Sequence, residues 1–143
     1  MSRTPIARRL AFLALAVGIS APLVGTAEAA SGRVPQSLVG CWQRHVGALP
    51  VGTAAGVWLM RISSGGELAA FTPGTTSCSA QPDFTGTVSV TGGHLTIGPL
   101  PVCAKKAVYT WKAGATGLTL HVASGESCAA RRLLFTGAWK KKT

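Results

Sequence analysis

Acidic residues are scarce in this 143-residue chain: 4 Asp+Glu stand against 14 Lys+Arg, a formal net charge of +10 at pH 7. That shortage leaves few carboxylates for paired acid–base chemistry. Charge of either sign is thin as well, at 13% of residues against 47% hydrophobic, which argues against a disordered chain. The 18 Gly and 8 Pro, spread without period, exclude a coiled coil or a collagen-like fibre. Neither His-x-x-x-His nor Cys-x-x-Cys spacing occurs among the 3 His and 4 Cys, so no metal site or redox pair is signalled and no cofactor is expected. Beyond Leu38, no stretch of ten or more residues carries a helical period. The length allows one domain.

What is present begins with an export signature. Arg3, Arg8 and Arg9 precede an apolar run from Leu10 to Val24, which leads into the small-x-small sequence Ala27-Glu28-Ala29. A basic start, an apolar middle and such a site are the parts of a secretory signal peptide, so residues 1–29 are expected to be removed and 30–143 to form a secreted, extracellular domain. Gly18, Ser20 and Pro22 interrupt the run, which falls short of the roughly 20 apolar residues of a membrane span. Cleavage after Ala29 leaves 114 residues with a net charge near +8 and all four cysteines, Cys41, Cys78, Cys103 and Cys128. An even cysteine count in an exported chain predicts two disulfides. Leu38-Val39-Gly40-Cys41 also has the form of a lipobox, but the polar segment 31–37, with Arg33 and Pro35, separates it from the apolar run.

The mature part reads as all-β. In Val57-Trp58-Leu59-Met60-Arg61-Ile62, the residues Trp58, Met60 and Ile62 share one face; Val88 with Val90, Leu95 with Ile97, Tyr109 with Trp111, and Leu118 with Leu120 and Val122 repeat the alternation. Strands are predicted at 38–46, 56–63, 67–72, 84–91, 94–98, 107–113, 117–123 and 132–140. The connections alternate between tight Gly-rich turns (63–66, 92–93, 113–116) and longer segments (47–55, 73–83, 99–106, 124–131). In an up-and-down meander all the long segments fall at one end. Eight such strands close into a barrel, a cup with one loop-rich mouth. Four cysteines allow three pairings and the sequence does not choose among them; on that geometry Cys78–Cys103 would tie neighbouring mouth loops and leave Cys41–Cys128, although Cys41 sits inside the first strand and a disulfide needs Cα atoms within about 7 Å.

Leu38-Val39-Gly40-Cys41-Trp42 and Leu134-Phe135-Thr136-Gly137-Ala138-Trp139-Lys140 stand at the two ends of this domain, each an apolar stretch with Gly-x-Trp. The first resembles the opening of lipocalin-like and other calycin barrels, and the basic residue after the last strand resembles the Arg or Lys that packs on that Trp there. The mature chain is also similar to small secreted proteins of high-GC Gram-positive bacteria, in its start at Gly40 to Arg44, its Tyr109 to Trp111 and its end at Cys128 to Arg131. The resemblance implies an architecture more than an activity. Cys41 departs from the residue many lipocalins carry at that place, and no internal signature specifies a ligand.

The candidate site residues follow from the cup. Arg44 with His45, Lys105 with Lys106, and Arg131 with Arg132 are expected at the mouth, where an electropositive rim would favour an anionic or amphipathic small ligand or an anionic envelope polymer or protein partner. Trp58 and Trp111 are the candidates for stacking on a ligand, while Trp42, Tyr109 and Trp139 are expected to fill the barrel. The acids Glu67, Asp83 and Glu126 read as exposed loop groups, and His45, His94 and His121 as scattered surface groups. With no nucleophile, acid and base gathered together, the chain reads as a binding protein and not an enzyme. Nucleic-acid binding would need aromatics interleaved with Lys and Arg on one face; Lys112 beside Trp111 is a single close instance, so nucleic acid is not the expected partner.

Overall fold

The computed structural model describes residues 33–143; the signal peptide read at 1–29 lies outside them. Eight antiparallel strands follow one another around a closed barrel: β1 (Gly40–Val46), β2 (Gly56–Ile62), β3 (Glu67–Phe71), β4 (Phe84–Thr91), β5 (His94–Ile97), β6 (Ala107–Ala113), β7 (Gly117–Ser124) and β8 (Gly137–Lys141). Each strand pairs with its sequence neighbours, and β1 pairs with β8 through Trp42↔Lys141 and Gln43↔Lys140. Closure leaves no free sheet edge along most of the circuit. The period of two decides which side chains go in: Trp42, Trp58, Met60, Ile62, Leu68, Val88, Leu95, Ile97, Tyr109, Leu118, Leu120 and Trp139 form one buried cluster. The barrel core and both disulfides lie within 33–143, so this segment contains what it needs to fold as a unit.

Both ends are covered by short helical segments. At the end of the tight turns, the Leu38 amide donates to the Pro35 carbonyl at 2.9 Å, and Leu38 and Val34 are buried beneath the barrel. At the other end α1 (Ala129–Phe135) lies between β7 and β8, burying Ala130, Arg131, Leu134 and Phe135. A strand was expected over 132–140; only 137–141 is strand, and 129–135 is helix, with Thr136 between them. The buried set at i, i+1, i+4 and i+5 is a helical stripe too short for a ten-residue window to register.

The two Gly-x-Trp segments are built alike. Gly40 has φ +146° and Gly137 φ +120°, a conformation that disfavours a side chain, and each turns the chain from a helical segment into a strand. Trp42 Nε1 donates to the Leu38 carbonyl at 3.0 Å, and Trp139 Nε1 to the Phe135 carbonyl at 3.1 Å, four residues back in both cases. Lys141 Nζ lies 5.4 Å from the centre of the Trp42 ring, and the Arg44 guanidinium 6.0 Å from that of Trp139. Each strand of the seam therefore supplies the cation that covers the other strand's indole. The cation on Trp42 is Lys141, within the last strand and one position beyond the Lys140 of the sequence motif, because the register sets Trp42 opposite Lys141.

The disulfides are Cys41–Cys78 and Cys103–Cys128, with Cα separations of 6.0 and 5.7 Å. This corrects the expected Cys78–Cys103 and Cys41–Cys128 pairing, which assumed that the 73–83 connection stays at the mouth. It does not. It folds down the outer wall of β2 and β3, where Leu59, Ala69 and Phe71 face outward and are nevertheless buried with Cys78, Cys41 packing alongside. Arg61 fastens this strap: Nη1 donates to the Cys78 carbonyl at 2.6 Å, Nη2 meets Glu67 at 3.0 Å, and the guanidinium lies 5.9 Å from the centre of the Phe71 ring. Covering two large apolar side chains on the outer wall is the gain that draws the loop there.

Candidate functional site

The loop-rich end encloses a cavity of about 260 Å³. The barrel supplies Trp58 from β2 and Phe84 from the start of β4, their ring centres 6.3 Å apart and tilted at 56°. The β1–β2 loop contributes Leu49, Val51 and Thr53, the β5–β6 loop Leu100 to Cys103, and α1 contributes Ala130, Arg131 and Leu134. The volume lies just below the usual range for drug-sized ligands and well above the 150 Å³ or so that suffices for benzene. Trp58 is 2% exposed and its Nε1 donor is buried without a partner. A buried unpaired donor in an apolar wall is an expensive arrangement unless something completes it.

Behind this wall lies a charged network. The Glu126 carboxylate accepts from Arg131 Nε at 2.9 Å and Nη2 at 3.1 Å, from the Cys128 amide at 2.9 Å and, in a short contact, from the Tyr109 hydroxyl. Arg131 Nη1 donates to the Gly98 carbonyl at 3.3 Å and in a short contact to that of Lys105. Both charged side chains are almost completely buried. Burial alone would raise the Glu126 carboxyl, but the hydrogen bonds from Arg131, Tyr109 and the Cys128 amide, with the Arg131 charge, hold it below its ordinary value. Burial, then the bond to Glu126 and its charge, raise the Tyr109 hydroxyl far above its own ordinary range. The Cys103–Cys128 bridge joins the β5–β6 loop to the start of α1 beside this network. Together they fix the cavity wall.

Of the residues read as ligand contacts, the structure brings Trp58 and Arg131 to the cavity. Arg131 is not the free rim charge expected but a strut with its donors engaged, and Glu126 is not an exposed acid but its buried partner. Lys105, Lys106 and Arg132 are exposed at the mouth end, outside the cavity lining. Arg44 points inward at the seam, where Nη1 donates to the Leu134 carbonyl at 3.1 Å and to that of Thr136, so it closes the last turn of α1; desolvation lowers its pKa. Trp111 is half-buried toward the opposite end of β6 and does not line the cavity. The lining residues that sequence reasoning missed include Leu49, Leu100, Leu134 and Phe84. A signal existed in the apolar pairs Leu49 with Val51 and Leu100 with Val102, which stand in otherwise small or polar mouth loops. Asp83 holds Thr72 through its amide at 2.7 Å and its hydroxyl at 3.1 Å, and Glu67 holds Arg61. His45, His94 and His121 are all exposed. Among the described residues no group of three His, Cys, Asp or Glu is placed to hold a metal, and no helix is long and apolar enough to cross a membrane.

Fold and cavity define a class: a closed eight-stranded up-and-down barrel, disulfide-bonded, with an apolar cavity at its loop-rich end. No protein-family profile, curated protein or solved structure matches the chain.

Proposed function

We propose that this is a secreted, lipocalin-like binding protein and not an enzyme, taking up a small amphipathic molecule at the mouth of the barrel. The observation that carries the reading is the 260 Å³ cavity itself, walled by Trp58, Phe84, Leu49, Leu100 and Leu134. A ligand with an apolar body would fill the space against the Trp58 ring. Its anionic end, where it has one, would emerge toward Lys105, Lys106 and Arg132. Two disulfides suit an oxidising, extracellular setting. The lipocalin kinship rests on the Gly-x-Trp opening, the strand order and the cation over Trp42.

The test is native mass spectrometry of the oxidised 30–143 protein, with titration of anilinonaphthalene sulfonate as an amphipathic probe. Expected are a captured mass lost on denaturation and saturable probe binding, weakened about fivefold by Trp58→Leu, which removes the aromatic ring that walls the cavity. A folded barrel that captures nothing and does not bind the probe would overturn the reading. A second reading, contact with an anionic surface, is favoured by the charge census. Among the described residues only Arg61 and Arg131 of the Lys and Arg side chains form a carboxylate pair.

A further inference from the structure

The large apolar side chains left on the surface are not scattered evenly. Val51 (50% exposed), Val102 (61%) and Leu133 (48%) stand on the two mouth loops and on α1, and the other two, Val57 and Val122, on the mouthward halves of β2 and β7. Among the described residues none occurs on the turns of the opposite end. Val51 and Val102 both border the cavity, and Leu133 lies on the outer side of α1, away from the buried Ala130 and Leu134. Lys105, Lys106 and Arg132 are exposed in the same loop and helix. Among the described residues the one exposed acid of this end is Asp83, which accepts hydrogen bonds from the Thr72 amide and hydroxyl. The Cys103–Cys128 bridge holds the Val102 loop against the start of the helix that carries Arg132 and Leu133, so apolar and cationic groups are displayed by one rigid unit.

Apolar side chains that insert, ringed by cations that meet headgroups, are the two components of interfacial membrane binding. We infer that the mouth of the barrel docks on an anionic lipid bilayer, through Val51, Val102 and Leu133 with Lys105, Lys106 and Arg132. A soluble polyanion would use the cations and leave the valines and leucine idle, which is why the bilayer is the better occupant. The cavity opens within this surface, so a docked barrel could exchange an amphipathic molecule with the lipid phase without passing it through water. That purpose rests on the proposed ligand site; the docking itself does not.

The experiment is cosedimentation of the oxidised 30–143 protein with phosphatidylglycerol/phosphatidylcholine vesicles, against vesicles of phosphatidylcholine alone. The apolar segment before residue 30 is omitted because it would bind lipid by itself. Expected is salt-sensitive binding to the anionic vesicles, weakened about fivefold per charge in Lys105→Gln, Lys106→Gln and Arg132→Gln, and tenfold or more by Leu133→Asp. Leu133 neither lines the cavity nor belongs to the cations proposed for a ligand's anionic end, so binding of anilinonaphthalene sulfonate to Leu133→Asp without vesicles reports the ligand site separately, and circular dichroism with thermal unfolding confirms that each variant is folded. Vesicle binding without probe binding would uphold docking and sink the ligand reading. Probe binding without vesicle binding would overturn docking alone. Retention on soluble polyphosphate as tight as on vesicles, and indifferent to Leu133→Asp, would replace the bilayer with a polyanion and also overturn it.

Discussion

The two ends of the barrel are closed by the same device and put it to different use. At each end a short helical segment leads through a glycine of positive φ into a strand, and a tryptophan two residues on anchors its indole to a carbonyl of that segment. At the end of the tight turns the segment is one turn long, and Leu38 and Val34 go into the barrel as a plug. At the mouth it is the two-turn α1, whose Leu134 and Ala130 reach only the wall and leave 260 Å³ beneath. Among the described residues the tight end keeps no charged group inside. The mouth keeps Glu126 and Arg131, wholly buried. A cover that fills its opening needs only apolar packing, whereas one that spans a hollow has to be held from the side.

The way to break this comparison most forcibly is to remove the lateral support. Arg131→Met leaves the Glu126 carboxylate buried without its cation, and breaking such a pair costs about 3–5 kcal/mol. Chemical denaturation should register that loss, with probe binding at the mouth lost in parallel. The same pair predicts an acid limit. Because the Glu126 carboxyl titrates lower in the folded state than unfolded, its contribution is whole above the ordinary glutamate pKa of about 4.3 and declines as pH falls below it. Unfolding measured from pH 7 to pH 3 should show stability falling at the acid end, and a shallower fall in Glu126→Gln.

Next in size is truncation of the covers themselves. Leu38→Ala should cost about 3–5 kcal/mol, since a plug at 0% exposure leaves a new cavity behind it. Leu134→Ala borders space that is already empty, so it should cost nearer 2 kcal/mol, mostly the transfer of its own carbons. Equal losses in thermal unfolding would mean that the mouth is as tightly packed as the opposite end and that the hollow is not there in solution.

What the sequence revealed of this arrangement follows the range of the forces involved. Alternation of apolar and polar residues is local, and it placed the first seven strands to within two residues at either end, with 84–91 and 107–113 matching outright. It also put Trp58 inside and toward the mouth. The path of a loop in space is not local. Nothing in 73–83 says that it leaves the mouth, yet Leu59 and Phe71 on the outward face of β2 and β3 were a legible sign that something must cover them. A cover drawn from 73–83 onto those side chains brings Cys78 beside Cys41 in β1, next to β2. Glu126 was unreadable for the same reason: between Gly125 and Ser127 it looks solvated, and only folding brings Tyr109 and Arg131 to it. The doublets Lys105-Lys106 and Arg131-Arg132 look equivalent in the chain. Helical geometry separates the latter, turning Arg131 in and Arg132 out.

The finest distinction lies at the seam, where Arg44 and Lys141 exchange indoles. Each cation covers the other strand's tryptophan, and on that count alone Arg44→Met and Lys141→Met should be alike, at about 0.5–1 kcal/mol for a cation over a ring, with methionine keeping most of the packing of the stem. Arg44 does more. Its guanidinium also bonds the Leu134 and Thr136 carbonyls at the end of α1, and a charged donor lost from such carbonyls adds about 1.5–3 kcal/mol. Arg44→Met should therefore destabilise by about 1.5–3 kcal/mol more than Lys141→Met in denaturant titration, and loosen α1 so that hydrogen exchange speeds up at its last turn. Lys141→Met should leave the exchange of α1 unchanged. If the two variants prove equal in both stability and exchange, the arginine covers its indole and nothing more, and α1 is held by the Glu126 network without help from the seam.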